Sequence, residues 1–157
     1  MTEPLETRIR RLEDIEAIKQ LKGRYGQACD DNHNPDKVAA LFVPDGLWEG
    51  RNTGVHAKGH AAIKDYIGGV RASGRMRNSA HMFMNPIITV NGDEATGEWR
   101  FIMAYTGKVP GGTLQYHRII GFYDEEYVRV DGRWMFRRLS VTVEENGPYS
   151  VEDSKFG

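Results

Sequence analysis

The sequence holds a single cysteine, Cys29. One thiol excludes a disulfide framework or a cysteine-built zinc site within one chain. There is no run of about 20 apolar residues of the length a membrane-spanning helix needs. The opening residues lack an apolar core of the signal-peptide kind, so no secretory leader is expected and the cytoplasm is the expected location. Positive charge is not in excess either: 21 Lys and Arg stand against 22 Asp and Glu, a net charge of -1. A nucleic-acid partner calls for a basic face, so none is expected. The spacings H-x-x-x-H, H-E-x-x-H and the EF-hand loop are all missing, as are G-x-G-x-x-G, the P-loop and G-x-S-x-G. The chain is therefore expected to use neither metal nor cofactor.

What is present is an ordinary globular composition, 39% hydrophobic and 27% charged over 157 residues. That size suits one domain with a real core, flanked by loose ends at residues 1–7 and 147–157. From Arg8 onward Ile9, Leu12, Ile15, Ile18, Leu21, Tyr25 and Cys29 recur at steps of three and four, which predicts one long helix with an apolar stripe. Arg10, Arg11, Glu13, Asp14, Lys19 and Lys22 are assigned to its outer face. Asp30-Asp31-Asn32 ends it, because short polar side chains compete for backbone hydrogen bonds. Pro35 opens a second short helix carrying Val38, Leu41 and Phe42. A short strand at 47–49, a loop at 50–58 and a third helix at 59–70 follow.

The second half changes period. Strands are expected at 79–90, 94–106, 113–130 and 133–144, with hairpin turns at Asn91-Gly92-Asp93 and Asp131-Gly132. Gly107, Pro110, Gly111 and Gly112 read as a loop. Helices first and long strands after predict an α+β domain whose helices pack into the hollow of a curved, mostly antiparallel sheet.

Alternation places His81, Phe83 and Asn85 on one face of their strand, with Met82 and Met84 on the other. Tyr25 and the Asp30/Asp31 pair sit in the last turn of the long helix. A helix end closing the mouth of a curved sheet would bring them near a strand histidine. A carboxylate beside an imidazole fixes its tautomer and makes it a base, and a tyrosine can donate to a developing oxyanion. Trp99, Phe101, Met103 and Tyr105 alternate strictly and read either as core or as the wall of an aromatic cavity; His117 can face the same space. His33, His56 and His60 fall in or beside loops and read as solvated. On pattern alone an enzyme and a binding module are equal readings.

The order of R-L-E-D-I-E-A-I-K-Q-L-K-G-R-Y (11–25), A-A-L-F-V-P-D-G (39–46), K-G-H-A-A-I (58–63), H-M-F-M-N-P-I-I-T-V-N-G-D-E-A-T-G (81–97) and V-R-V-D-G-R-W-M-F-R-R (128–138) resembles the SnoaL-like branch of the nuclear-transport-factor-two-like superfamily. The chain is most similar to the group with scytalone dehydratase, hexachlorocyclohexane dehydrochlorinase and bile-acid dehydratase. The resemblance implies a cystatin-like cone of three helices on a curved sheet. It implies a catalytic aspartate at Asp30, a histidine at His81 and a carbonyl-polarising tyrosine at Tyr25. Phe83, Asn85, Trp99, Phe101, Met103, Tyr105 and His117 would line the substrate pocket. The implied activity is a lyase without cofactor or metal, acting on a hydroxylated hydrophobic molecule, aromatic or polycyclic, by dehydration or retro-aldol cleavage. Its relatives put it in the breakdown of aromatic compounds. Isomerase, polyketide cyclase and non-catalytic modules on the same fold are the alternatives. The chain departs where bile-acid dehydratase has an acid (here Met103) and an arginine (here Val143), and this predicts a more apolar ligand. A partly apolar outer sheet face predicts a homo-oligomer, a trimer or dimer.

Overall fold

A computed structural model describes residues 3–108 and 114–148. Three helices, α1 (Leu5–Asp30), α2 (Pro35–Ala39) and α3 (Gly59–Ser73), interleave with two strands, β1 (Phe42–Gly50) and β2 (Val55–Lys58). Four long strands then follow: β3 (Arg77–Asn91), β4 (Glu94–Lys108), β5 (Leu114–Val130) and β6 (Arg133–Pro148). The sheet order is β2-β1-β6-β5-β4-β3, and β1 with β6 is its one parallel pair among the described residues. The α+β reading therefore holds, with helices packed on one side of a six-stranded, mostly antiparallel sheet. No helix of the described residues is long and apolar enough to cross a membrane.

Turn chemistry sets the strand order. Asp131 and Gly132 both adopt positive φ, 48° and 75°, which two-residue hairpins require. Strands of 15 to 17 residues are too long to stay flat. They bend at register shifts, between Met84 and Ile87 on β3 and between Ile120 and Gly121 on β5. At Gly121 a side chain would place its Cβ 2.1 Å from the Thr142 carbonyl oxygen, so only glycine lets β5 and β6 close at that bend.

Several boundaries differ from expectation. α1 begins at Leu5, inside the stretch expected to be loose, and α3 runs on to Ser73. α2 stops at Ala39, because Phe42 is claimed by pairing with Phe136 on β6. Residues 55–58, expected as loop, pair antiparallel with β1. Gly107 belongs to β4, whereas Pro110, Gly111 and Gly112 lie outside the described residues. β6 continues to Pro148, past the expected end, and residues 149–157 also lie outside them.

The apolar stripe of α1 divides in two. Ile18, Leu21, Tyr25, Ala28 and Cys29 are buried, but Leu5, Ile9 and Leu12 are exposed. A helix of 26 residues measures about 39 Å, and the sheet covers only its C-terminal half. Two residues assigned to the charged outer face face inward instead. Asp14 is buried and accepts from the Trp134 indole at 3.0 Å and from Arg129 Nη2 at 3.0 Å. Lys22 is 1% exposed in its side chain and pairs with the fully buried Glu125 of β5. Both partners come from distant strands, which helix periodicity cannot register.

The Lys22–Glu125 pair sits in an aromatic enclosure. Lys22 Nζ lies 3.4 Å from the Tyr123 ring centroid and 4.3 Å from that of Phe83. Tyr127 donates its hydroxyl proton to Glu125, and the Trp99 indole donates to Tyr127 Oη at 3.0 Å. Burial lowers the Lys22 pKa, opposed by Glu125, and burial raises that of Glu125, opposed by Lys22. Removing one member of such a pair strands the other in the core. Glu125→Ala should cost about 3–5 kcal/mol in urea denaturation, and the double variant Lys22→Met/Glu125→Leu should recover most of that loss. Equal losses in the single and double variants would show that the pair is not the destabilising element.

Candidate active site

The site forms where α1 ends against β3. Gly26, one turn before the end, has its would-be Cβ 2.8 Å from Phe83 Cε2 and 3.6 Å from His81 Cβ. A bare backbone here lets helix and strand meet closely enough for the next turn to reach across. Asp30 Oδ1 then lies 2.6 Å from His81 Nδ1, and its Oδ2 accepts the His81 backbone N–H at 3.0 Å. One carboxylate thus fixes both the backbone and the ring, and leaves Nε2 as the working nitrogen. Partial burial pushes the Asp30 pKa up, but the bonds from His81 and Ser79 outweigh it and hold the carboxyl below its usual value. The His81 side chain is 6% exposed and that of Asp30 31%.

Beyond Asp30 the chain folds back over the helix end. Asn32 and His33 both take φ of 50°, and the His33 N–H donates to the Cys29 carbonyl at 2.8 Å. Two consecutive left-handed residues turn the His33 ring inward, so it is buried rather than solvated as expected. Its ring centroid stands 6.3 Å from that of His81, at an interplanar angle of 68°.

Both imidazoles open on a cavity of about 210 Å³. Its polar lining includes His81, His33 and Tyr25, and its apolar lining includes Ile119, Met103 and Val143. Met103 and Val143, where the chain departs from the resemblance, both line the cavity. The Trp48 indole donates to Tyr25 Oη at 2.9 Å. Burial, reinforced by Cys29 and Tyr123, pushes the Tyr25 hydroxyl well above its ordinary pKa, so it stays a phenol at neutral pH.

The other expected pocket residues divide. Phe101 and Met103 line the cavity. Trp99 lies deeper, in the Lys22–Glu125 network, and Phe83 packs behind His81 with centroids 6.0 Å apart. Tyr105 donates to Asn146 Oδ1 at 3.1 Å and stacks on His117 at 5.0 Å, so neither ring reaches the cavity although Asn146 does. Asn85 is exposed: it adopts φ of 51° at the β3 register shift, and that bulge ends the alternation which assigned it inward. His56 is exposed as expected, but His60 bonds the Phe42 carbonyl at 2.8 Å. Among the described residues no group of three or more His, Cys, Asp or Glu side chains is placed to hold a metal.

Sequence reasoning missed His33, Trp48, Tyr66 and Tyr123 as cavity residues. Tyr123 was within reach, since the alternation that turns Ile119 inward continues to Tyr123 and Glu125. His33 carried no pattern, because its position follows from a left-handed turn.

The fold has counterparts among solved structures. A candidate scytalone dehydratase from Novosphingobium aromaticivorans DSM 12444 shares 28% identity at a TM-score of 0.75, over 90% of this chain and 91% of that one. A candidate aromatic ring hydroxylase from Novosphingobium aromaticivorans shares 26% identity at a TM-score of 0.76, over 88% and 94%. A hexachlorocyclohexane dehydrochlorinase from Novosphingobium barchaimii LL02, at 23% identity and a TM-score of 0.77 over 91% and 94%, shares the fold. Another counterpart from Novosphingobium aromaticivorans is described as nuclear-transport-factor-two-like with a cystatin-like fold. The SnoaL-like domain family matches residues 10–140. Since that match spans most of the 157 residues, the chain belongs to the SnoaL-like family, on the fold shared by small-molecule dehydratases and dehydrochlorinases.

Proposed function

We propose that this chain is a cofactor-independent lyase that eliminates water from a hydroxylated aromatic small molecule. The observation that carries this reading is the Asp30–His81 pair, held at 2.6 Å and opening on an otherwise mostly apolar cavity. His81 Nε2 would remove the substrate proton while Asp30 steadies the imidazolium that forms. The bond to a hydroxyl on the neighbouring carbon would break, and Tyr25, a phenol donor lining the same cavity, would steady the charge that builds on a conjugated oxygen. If His81 takes a hydroxyl proton instead, the same arrangement supports retro-aldol cleavage with release of a small aldehyde.

The cavity bears on substrate size. A void of about 150 Å³ accommodates benzene. At about 210 Å³ this one suits a single substituted ring, and a polycyclic molecule would project through the mouth. The names of two structural neighbours, a dehydratase and a dehydrochlorinase, both denote eliminations. An isomerase or cyclase reading needs a free acid in the cavity. The inward acid of the sheet, Glu125, is instead occupied by Lys22 and Tyr127. Self-association through the outer sheet face, where Met82 is exposed, belongs to the same proposal.

Turnover should be measured over a panel of monocyclic aromatic alcohols, by growth of conjugated alkene absorbance. His81→Ala should lower the rate by about 10²–10⁴-fold with unchanged circular dichroism and melting temperature. Asp30→Asn, which keeps the shape but loses the charge, should fall by a similar order. Full activity in a folded His81→Ala protein would end the proposal. Absence of any conjugated product from the panel would favour a binding module.

A further inference from the structure

The elimination scheme gives the second imidazole of the cavity no task. His33 is 6% exposed, and its Nδ1 is buried with no hydrogen-bond partner among the described residues. Buried polar atoms are nearly always satisfied. Nδ1 is closed off even from water, so it is Nε2, equally without a hydrogen-bond partner among the described residues, that a ligand group in the cavity can complete. The chain also adopts an unfavourable conformation to put it there. Asn32 and His33 are both left-handed at φ of 50°, a region that non-glycine residues seldom occupy and that clusters at functional sites.

Its place and charge define what it can bind. With ring centroids 6.3 Å apart, planes inclined at 68° and both rings lining one cavity, a single oxygen between them can meet His33 and His81 together. Burial, then the neighbouring His81, lowers the His33 pKa to about 4 against an opposing pull from Asp30. The ring is thus neutral near neutral pH, with one N–H donor and one acceptor nitrogen. A neutral imidazole matches an uncharged hydroxyl, which both gives and takes a hydrogen bond.

We propose that His33 is a substrate-binding residue that holds the departing hydroxyl oxygen while His81 takes the proton. This rests on the dehydration reading above. The C–H electron pair becomes the new π bond, and the C–O bond breaks with its electrons on oxygen. The proton gained by His81 passes to that oxygen, so water leaves and both imidazoles end neutral. His33 donates one hydrogen bond throughout and exchanges no net charge. The substrate class is accordingly a neutral single-ring aromatic whose side chain carries an aliphatic hydroxyl.

The test compares two probes that differ by that hydroxyl, para-hydroxybenzyl alcohol and para-cresol, titrated against the full chain by calorimetry. The native protein should prefer the alcohol by about 2–10-fold, the worth of one neutral hydrogen bond. His33→Phe should erase the preference while still binding para-cresol, and His33→Gln should keep part of it. In ¹⁵N-labelled native protein, the alcohol but not para-cresol should shift the His33 ring-nitrogen resonances, a readout that needs no variant to fold. An unchanged preference in His33→Phe, unmoved His33 resonances, or no binding of either probe would overturn the proposal. Neither readout requires turnover: a protein that shows the preference yet eliminates nothing refutes the lyase reading and leaves His33 as a hydroxyl-binding group. A protein that eliminates water without the preference refutes only the role of His33.

Discussion

Everything at the mouth of the cavity follows from how α1 is rotated on the sheet, and a charge pair in the core sets that rotation. Lys22 and Glu125 are satisfied only when Lys22 points at β5. A turn of the helix by one residue, about 100°, would carry the ammonium away from Glu125 and leave that carboxylate buried without its cation. With Lys22 fixed, the face at i+3, i+4 and i+8 is fixed as well. It presents Tyr25 to the cavity, Gly26 to β3 and Asp30 to His81. Apolar packing alone tolerates small slips of a helix, whereas a buried charge does not.

The same face explains which parts of the molecule could be read from sequence. The long strands and both hairpins are local patterns, alternation of two and a turn residue of positive φ, so they stood out. Helix existence was equally plain, and its boundaries moved only where strand pairing took residues such as Phe42. Non-local facts were invisible. Lys22 and Asp14 look like surface charges until β5 supplies Glu125 and Arg129. Asn85 looks inward until the bulge at Met84 shifts the register.

The candidate site was legible in the same proportion. Asp30, His81 and Tyr25 came from a helix end, a strand and a resemblance, and the fold brings these three together. The aromatic strand β4 was half informative: Phe101 and Met103 meet the cavity, while Trp99 and Tyr105 serve as its backing. Inward alternation assigns a face of the sheet and says nothing of depth, because one concave face holds both cavity wall and solid core. His33 was lost to the opposite error, since loop position was taken for exposure. A turn that doubles back on a helix end buries what it carries.

Cys29 shares the cavity wall with these groups, and burial above all pushes its thiol up to about 12. At neutral pH the sulfur is therefore held as S–H. The small aldehyde that the proposed retro-aldol branch would release is an electrophile to which thiolates add. A sulfur held so firmly as S–H offers it no nucleophile. The chamber that makes such a compound would be, for its own part, chemically inert toward it.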